Sequence, residues 1–217
     1  MTPLTIQLVG WNHAHGLVAG LTALAALPTD EVIIRYLDNG STDGSVALVK
    51  KLLPRAEIIE LGYNTGFAHA HNEGFRRTTT PYVLIHNPDL VIDWAGIKKL
   101  LHAFADPTVG AVQGKLMRVG AEATIDSAGI VLARALNGVD RGGGEIDHGQ
   151  YETLVAITAA TGACALYRVE ALKAVGYFDE DFFSYKEDVD LGWRMQKTGW
   201  RSLYVPVMAG YHQRYLT

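Results

Sequence analysis

An α/β fold with a mostly parallel central sheet flanked by helices is predicted by the pattern of the first half of the chain. Short apolar runs alternate there with longer segments of helical period, which is typical of βαβ units. Each apolar run ends in a polar turn, and the clearest run, 82–85, leads into His86-Asn87-Pro88-Asp89. Because proline cannot continue a central strand, the strand closes at Asn87 and Asp89 lies just beyond its carboxyl end.

The spacing of apolar residues gives the elements in order. Strands are predicted at 5–9, 32–37, 56–61 and 82–85, and helices at 17–27, 46–53, 67–77 and 93–104. A further strand at 109–116 follows, after which the regular alternation is lost. The prediction is completed by a helix at 169–175 ending at Gly176, a helix that starts with the capping-box pair Ser184 and Glu187 and stops at Gly199, and a strand at 201–205.

Composition limits the class of protein. The 217 residues, 48% of them hydrophobic, predict one domain with one core. A formal net charge of −4 and the lack of a basic run argue against nucleic acid as a partner. The single cysteine, Cys164, cannot form an internal disulfide, and its apolar surroundings predict a buried thiol in a reducing cytosol. The longest apolar segment, 16–27, is too short to cross a bilayer.

The polar residues after the first four strands predict a ligand site. Parallel strands direct their carboxyl ends to one edge of the sheet, where ligands of α/β proteins bind. One polar turn is ordinary, but four that open on the same crevice favour a nucleotide-sized ligand. The residues at these strand ends are Trp11, Asn12, Asp38, Asn39, Asn64, Asn87 and Asp89.

The sequence contains neither of the common phosphate-binding loops, since the turn 40–45 has no lysine and the glycines at 142–144 follow no convincing strand. A diphosphate would therefore need a magnesium-like ion, which is held by one or two carboxylates and the phosphate oxygens. Asp89 is the candidate ligand, with a helix cap near Trp94 as its alternative role. Two histidine pairs lack the neighbours of a zinc site: His13/His15 and His69/His71.

The second half holds the candidate for acid–base chemistry. Asp188 falls in the first turn of a helix that is entered through aromatic residues, where an ionised carboxylate suits a general base for a hydroxyl. A solvated charge at the helix start is the alternative. Gly162 marks either a close approach of a ligand or backbone, or a bulge in an edge strand. The glycine-rich stretch 137–151 is either functional or mobile.

A series of motifs follows along almost the whole chain. They are Asp38-Asn39-Gly40-Ser41-Thr42-Asp43-Gly44-Ser45, Asn64-x-Gly66-Phe67-Ala68 with Asn72, Asn87-Pro88-Asp89, Thr161-Gly162-Ala163-Cys164, Phe178-Asp179-Glu180 with Phe182-Phe183, Glu187-Asp188-x-Asp190-Leu191 with Trp193-Arg194, and His212. Each motif alone is weak, but the ordered set resembles the inverting family 2 glycosyltransferases with the GT-A fold. It looks most like their rhamnosyltransferase-type bacterial members.

The resemblance implies a role for each of these residues. Asp38 would recognise the nucleoside, Asp89 would be the metal-binding acid of a degenerate Asp-x-Asp motif, His212 would help to hold the metal or the diphosphate, and Asp188 would be the catalytic base. Asn87 replaces the first acid of the full motif, which leaves fewer anionic ligands. The further nucleotide-sugar contacts would be Trp11, Asn12, Asn64, Gly66, Asn72 and Asn87. The acceptor or donor-sugar contacts would be Gly162, Glu187 and Trp193.

The resemblance also implies the reaction. We expect a glycosyltransferase that moves a sugar from a dTDP-, UDP- or GDP-sugar to a hydroxyl of a glycan or lipid-linked acceptor, with Mg²⁺ or Mn²⁺ and with inversion. Its expected setting is bacterial surface polysaccharide or glycan synthesis. A catalytically silent nucleotide-sugar-binding module and a nucleotidyltransferase are the alternatives.

Within one domain, we expect a nucleotide-binding half at 1–105 and an acceptor-binding and catalytic half at 106–217. A cytoplasmic protein is expected. The chain stops soon after His212, where many members of the resembled family continue. Acceptor binding or membrane association is therefore expected to be reduced or to be supplied by a partner protein. Association with the inner face of the membrane and homo-oligomer formation stay open.

Overall fold

One mixed sheet organises the fold, and the computed structural model describes residues 4–120, 122–133 and 137–214. The strands are β1 Leu4–Gly10, β2 Val32–Asp38, β3 Glu57–Glu60, β4 Tyr82–His86, β5 Leu90–Ile92, β6 Val109–Arg118, β7 Ile125–Ser127, β8 Ile130–Leu132, β9 Gly138–Asp140, β10 Val155–Ile157, β11 Cys164–Arg168 and β12 Arg201–His212. The helices are α1 Leu17–Ala25, α2 Ser45–Leu52, α3 Phe67–Arg76, α4 Trp94–Leu101, α5 Val169–Val175 and α6 Glu187–Lys197.

The strand order places a reversal point at the centre of the sheet. Along the main path the order is β10-β12-β6-β11-β4-β1-β2-β3. Strands β3, β2, β1 and β4 are parallel to one another, whereas β11 is antiparallel to both β4 and β6. β12 then runs parallel to β6. The predicted α/β fold with a mostly parallel sheet is confirmed. The chain continues from β1 to β2 and β3 on one side, whereas β4 lies on the other side of β1. Because the strand order reverses at this point, a crevice opens at the carboxyl ends of β1 and β4.

Helices bury apolar residues on both faces of this sheet. On one face, Leu17, Leu21, Ile97 and other side chains of α1, α2 and α4 pack on the strands. On the other face, α3, α5 and α6 contribute a second buried cluster. Cys164 is buried in the first cluster, as its sequence context predicts. None of the helices in the described ranges has the length and apolar character that a bilayer crossing requires.

The start of α6 differs from its prediction. The predicted capping box of Ser184 and Glu187 is wrong, because α6 begins at Glu187 after Lys186, and no side chain caps it in the described structure. Tyr185 and Lys186 both adopt left-handed backbone geometry, with φ of 72° and 73°. Lys186 Nζ also donates to the carbonyl oxygen of Gly138 at 2.8 Å. This contact with β9, which is distant in the chain, could not be predicted from the local sequence around Ser184 and Glu187.

Two strands were also mispredicted near the end of the sheet. β12 does not end before Pro206 but continues to His212, with an irregular register against β6 between Tyr204 and Met208. The irregularity accommodates a proline, which has no N–H to donate to a neighbouring strand. The short strand β5 follows Asp89 directly and pairs with the end of β12. Asp93, and not Asp89, caps α4 by accepting a hydrogen bond from the Gly96 N–H.

The remaining corrections are small. The helix predicted at 93–104 ends at Leu101 and continues as a 3₁₀ turn over His102–Ala105. β11 lies between β4 and β6, so Gly162 is not part of an edge strand but of the turn that precedes β11. Helix α5 and its left-handed end at Gly176 are confirmed.

Candidate active site

The carboxyl ends of the strands open into a cleft of about 520 Å³. Most of the residues predicted to form a site line this cleft together. They are Trp11, Asn64, Gly66, Asn87, Asp89, Gly162, Glu187, Asp188 and His212. These residues come from the turns after the parallel strands, from the turn before β11, from the start of α6 and from the end of β12. The structure therefore joins sequence-distant motifs at one place.

At the centre of the cleft, His212 lies between two buried aspartates. Its Nε2 is 3.2 Å from Asp89 Oδ1, and its Nδ1 is 2.8 Å from Asp126 Oδ2. Burial alone would lower the pKa of His212, but the hydrogen bonds to Asp126 and Asp89 outweigh it and raise the pKa to about 9. At neutral pH the imidazole therefore carries a proton and balances part of the negative charge of the two carboxylates.

Asp126 is further held by two arginines, Arg118 at 3.3 Å and Arg214. Burial opposes ionisation of Asp89 and Asp126, yet their hydrogen bonds to His212 are strong enough to lower both pKa values. Both aspartates are therefore ionised at neutral pH. Oδ2 of Asp89 is buried and has no hydrogen-bond partner within the described structure. A buried, ionised oxygen without a partner is suited to a cation that arrives with a ligand.

A magnesium-like ion needs oxygen ligands from the protein and from the substrate phosphates. In the described ranges, no group of three or more His, Cys, Asp or Glu side chains is arranged to hold an ion by itself. Asp89 fits a magnesium-like ion, since one carboxylate together with substrate phosphates is the usual arrangement. His212 would first have to give up the contact between its Nε2 and Asp89.

On another part of the cleft, the carboxylate of Asp188 is held by two backbone N–H groups. Its Oδ2 accepts a hydrogen bond from the Gly162 N–H at 2.9 Å, and its Oδ1 accepts one from the Val189 N–H at 2.8 Å. Burial raises the pKa of Asp188, and these two backbone donors oppose the rise. The carboxylate is thus preorganised at the cleft wall, as a group that accepts a proton must be.

Glu187 lies directly beside Asp188 and is only 5% exposed. Burial, assisted by the negative charge of Asp188, raises the pKa of Glu187 to about 7. Its Oε2 has no hydrogen-bond partner among the residues that the structure describes. The two neighbouring carboxyl groups therefore share one cleft wall with different environments, which is a common feature of catalytic pairs.

The other wall is built from amides after β2 and β3. Asn39 Nδ2 donates to Asn64 Oδ1 at 2.9 Å, and Asn39 Oδ1 accepts from the Thr65 N–H. Asn64 Oδ1 also accepts from the Gly66 N–H at 3.0 Å. Trp11 stands at the edge of this wall with about half of its surface exposed. These amides hold one another in place and leave an aromatic face open to the cleft.

Four predicted site residues lie outside the cleft lining. Asp38 is buried, and its Oδ2 accepts from the N–H groups of Gly40 and Ser41. Asn12 accepts from the Thr42 N–H, and Asn72 bonds to the backbone of Phe178. Trp193 lies on α6, under the ammonium group of Lys197. For these four, the contacts in the structure support the loops and helices, and their direct contact with a ligand stays a prediction.

Several cleft residues were not identified from the sequence. Asp126 and Arg214 have no local motif, and their role depends on contacts with distant segments. Phe183 belongs to one of the motifs of the resemblance but has no predicted role, and Tyr185 belongs to the aromatic stretch that leads into the helix of Asp188. His13 also lines the cleft. The stretch 137–151 forms β9 and a turn, and Gly138, Val139 and Asp140 contribute to the cleft wall.

Comparison with known proteins shows the family to which the chain belongs. The family described as Glycosyl transferase family 2 matches residues 10–176, and the chain belongs to this family. It is 30% identical to N-acetylglucosaminyl-diphospho-decaprenol L-rhamnosyltransferase of Mycobacterium tuberculosis (strain H37Rv), over 97% of this chain and 76% of the relative. It is 27% identical to poly-beta-1,6-N-acetyl-D-glucosamine synthase of Staphylococcus aureus (strain N315), over 94% of this chain and 48% of the synthase.

Solved structures agree on the fold. The mannosyltransferase PcManGT from Pyrobaculum calidifontis, in complex with GDP-Man and Mn²⁺, matches with a TM-score of 0.70 at 20% identity, over 97% of this chain and 56% of that one. GalNAc-T7 with UDP, GalNAc and Mn²⁺ matches with a TM-score of 0.79 at 11% identity, over 98% of this chain and 44% of that one. The chain thus spans about half the length of these solved chains. The predicted GT-A fold and glycosyltransferase family are confirmed.

Proposed function

We propose that this chain transfers a sugar from a nucleoside-diphosphate sugar to an acceptor hydroxyl with inversion at the anomeric carbon. One observation carries the proposal. A single cleft holds the Asp188 carboxylate, fixed by two backbone N–H groups, and the Asp89 carboxylate, which has an oxygen without a partner in the described structure. The first suits a base, and the second suits a divalent cation that arrives with the diphosphate of a nucleotide donor.

In the proposed step, the acceptor hydroxyl gives its proton to Asp188. The hydroxyl oxygen forms a bond to the anomeric carbon from the face opposite the diphosphate. The bond between that carbon and the diphosphate oxygen breaks, and the nucleoside diphosphate leaves with the electron pair. Asp188 later releases its proton to solvent. The hydrogen bonds from Gly162 and Val189 keep the carboxylate oriented for this transfer, which belongs to the positioning that general-base catalysis needs.

The leaving diphosphate needs positive charge close by. Asp89 is the residue that would hold a divalent cation, and such an ion would offset the charge of the diphosphate. The similar fold of PcManGT was solved with GDP-Man and Mn²⁺, which supports a divalent cation as the cofactor. Protonated His212 would stabilise negative charge at the same place when no cation is bound. Asn64, Gly66, Asn87 and Trp11 would contact the nucleotide part of the donor.

The relatives support the class of substrates. The mycobacterial relative is named for rhamnosyl transfer to a lipid-linked N-acetylglucosaminyl diphosphate. We propose a dTDP-, UDP- or GDP-sugar as the donor and a glycan or a lipid-linked molecule as the acceptor. The proposed setting is bacterial glycan synthesis. A lipid-linked acceptor would bring the protein to the cytoplasmic face of the membrane.

The test incubates the protein with a panel of nucleotide sugars and alkyl glycosides, in Mg²⁺, Mn²⁺ or EDTA. We expect release of free nucleoside diphosphate that depends on the metal, together with a glycoside of inverted configuration by NMR. Asp89→Asn keeps the side-chain shape but removes the charge, and it should reduce the metal dependence. Tight donor binding without turnover would indicate a silent binding module, and release of pyrophosphate would indicate a nucleotidyltransferase.

A further inference from the structure

Two exposed aromatic side chains stand at the cleft beside the proposed base. Phe183 and Tyr185 line the cleft, yet 59% and 70% of their surfaces are exposed. They belong to the segment 183–186, which leads directly into Glu187 and Asp188. Exposed aromatic rings that line a cleft are suited to contact with a ligand, because burial of such rings is favourable.

The backbone of segment 183–186 is held at both ends. The carbonyl oxygen of Phe183 accepts a hydrogen bond from the Phe67 N–H at 2.6 Å. Gly66 allows this approach, since a Cβ at position 66 would collide with the same carbonyl oxygen. At the other end, the Lys186 side chain donates to the carbonyl oxygen of Gly138 on β9. The rings are therefore exposed on a fixed support.

The backbone between these two anchors is also strained. Tyr185 and Lys186 are both in the left-handed region, with φ of 72° and 73°, where residues with a Cβ are disfavoured. Strain of this kind persists where the surrounding structure enforces it, and it is concentrated at ligand sites. Here it turns the chain so that the aromatic side chains and the following carboxylates line the same cleft.

We propose that Phe183 and Tyr185 form the platform on which the sugar ring of the acceptor stacks. This inference rests on the proposed function, because the reacting hydroxyl must lie within hydrogen-bond reach of Asp188. The groups attached to that hydroxyl must then extend along the cleft, which the two rings line together with Asp188. One face of a pyranose carries mainly C–H groups, which suits contact with an aromatic face. The amide wall of Asn39 and Asn64 is polar and is better suited to the nucleotide.

The test uses saturation-transfer NMR of octyl N-acetylglucosaminide with the full-length protein loaded with UDP, so that binding is read without turnover. We expect saturation of the sugar-ring protons in the wild type, and its loss in Phe183→Ala and Tyr185→Ala. Tyr185→Phe should retain it. Tyr63→Ala is the matched control, since Tyr63 is also 70% exposed but does not line the cleft. In transfer assays, each alanine variant should raise the acceptor KM about three- to tenfold and leave the donor KM unchanged.

The outcomes separate this inference from the proposed function. Ring saturation that depends on both aromatic residues, without any sugar transfer, would support the platform and contradict the function. Transfer with normal acceptor KM in both alanine variants would support the function and overturn the platform. No ring saturation in the wild type, saturation confined to the octyl chain, or a raised donor KM in the variants would also overturn it.

Discussion

Two adjacent carboxyl groups at the start of α6 differ in how the protein surrounds them. Asp188 accepts two backbone hydrogen bonds, whereas Oε2 of Glu187 is buried without a partner among the described residues. A buried carboxyl group is favoured in its neutral form, and the negative charge of a neighbour adds to that preference. These effects raise the pKa of Glu187 to about 7, whereas at Asp188 the two backbone donors oppose the rise that burial causes.

The ionisation of Glu187 should reduce stability at high pH. Its pKa in the folded protein is about 7, compared with 4.5 ordinarily. The folded state thus binds the proton more tightly, and stability falls as the pH rises from about 4.5 through 7. Glu187→Gln removes this ionisation. We expect the variant and the wild type to differ little near pH 4.5, and the variant to gain about 1–3 kcal/mol relative to the wild type at pH 8.

Urea unfolding of both proteins at several pH values measures this difference. Glu170→Gln is the matched control, because Glu170 is exposed in the first turn of α5, outside the cleft, and the same exchange of side chains is made there. A constant difference between Glu187→Gln and the wild type across the pH range would show that Glu187 is not held in a neutral form.

At the scale of elements, the cleft depends on a close contact between the start of α3 and the segment before α6. Gly66 has φ 85° and ψ 169°, a conformation that only glycine adopts readily. The Phe183 carbonyl oxygen lies so close to the position of a Cβ on residue 66 that the two atoms would clash. Residue 66 is thus restricted both by its backbone geometry and by its neighbour.

Gly66→Ala should therefore lower the free energy of unfolding by about 3 kcal/mol or more, since strain and a backbone clash add together. Gly62→Ala provides the control. Gly62 also has a positive φ, of 83°, but nothing lies within 4 Å of the added Cβ, so the expected loss is about 1 kcal/mol. Urea unfolding compares the two variants. Equal losses would mean that the Phe183 segment is not packed closely on Gly66.

The positions of many strands and helices could be predicted from the sequence. The strands and helices of the first half follow local periodicity, and their observed ends lie within two residues of the predicted ends, apart from α4. The insertion of β11 between β4 and β6 has no local signal, because it depends on long-range pairing. The capping box at Ser184 has the right spacing, but the contact between Lys186 and Gly138 imposes another backbone conformation. Local propensity is overruled there by tertiary contacts.

For the whole molecule, the sheet topology brings the candidate site together. The turns after β1, β3 and β4 could be predicted to meet, because parallel strands share an edge. Asp126 could not be predicted to contact His212, from which it is separated by 86 positions along the chain. Some site residues could therefore be predicted from the fold class alone. The positions of the others depend on how the second half of the chain folds.

The central claim is that Asp188 is the base in sugar transfer, and Asp188→Asn tests it most directly. This change preserves the side-chain shape but removes the group that accepts the proton. Asp190→Asn is the control, because Asp190 lies in the same helical turn and pairs with Arg194 at 2.7 Å. Nucleoside-diphosphate affinity, melting temperature and transfer rate should be measured on the same preparations, with an acceptor identified in the glycoside panel.

We predict that Asp188→Asn retains nucleotide affinity and loses transfer by about 10²–10⁴-fold, the usual range for general-base catalysis. Asp190→Asn should retain both. Near-normal transfer in Asp188→Asn with a lowered melting temperature would contradict the account. It would show that Asp188 only stabilises the start of α6, and the role of base would then pass to Glu187.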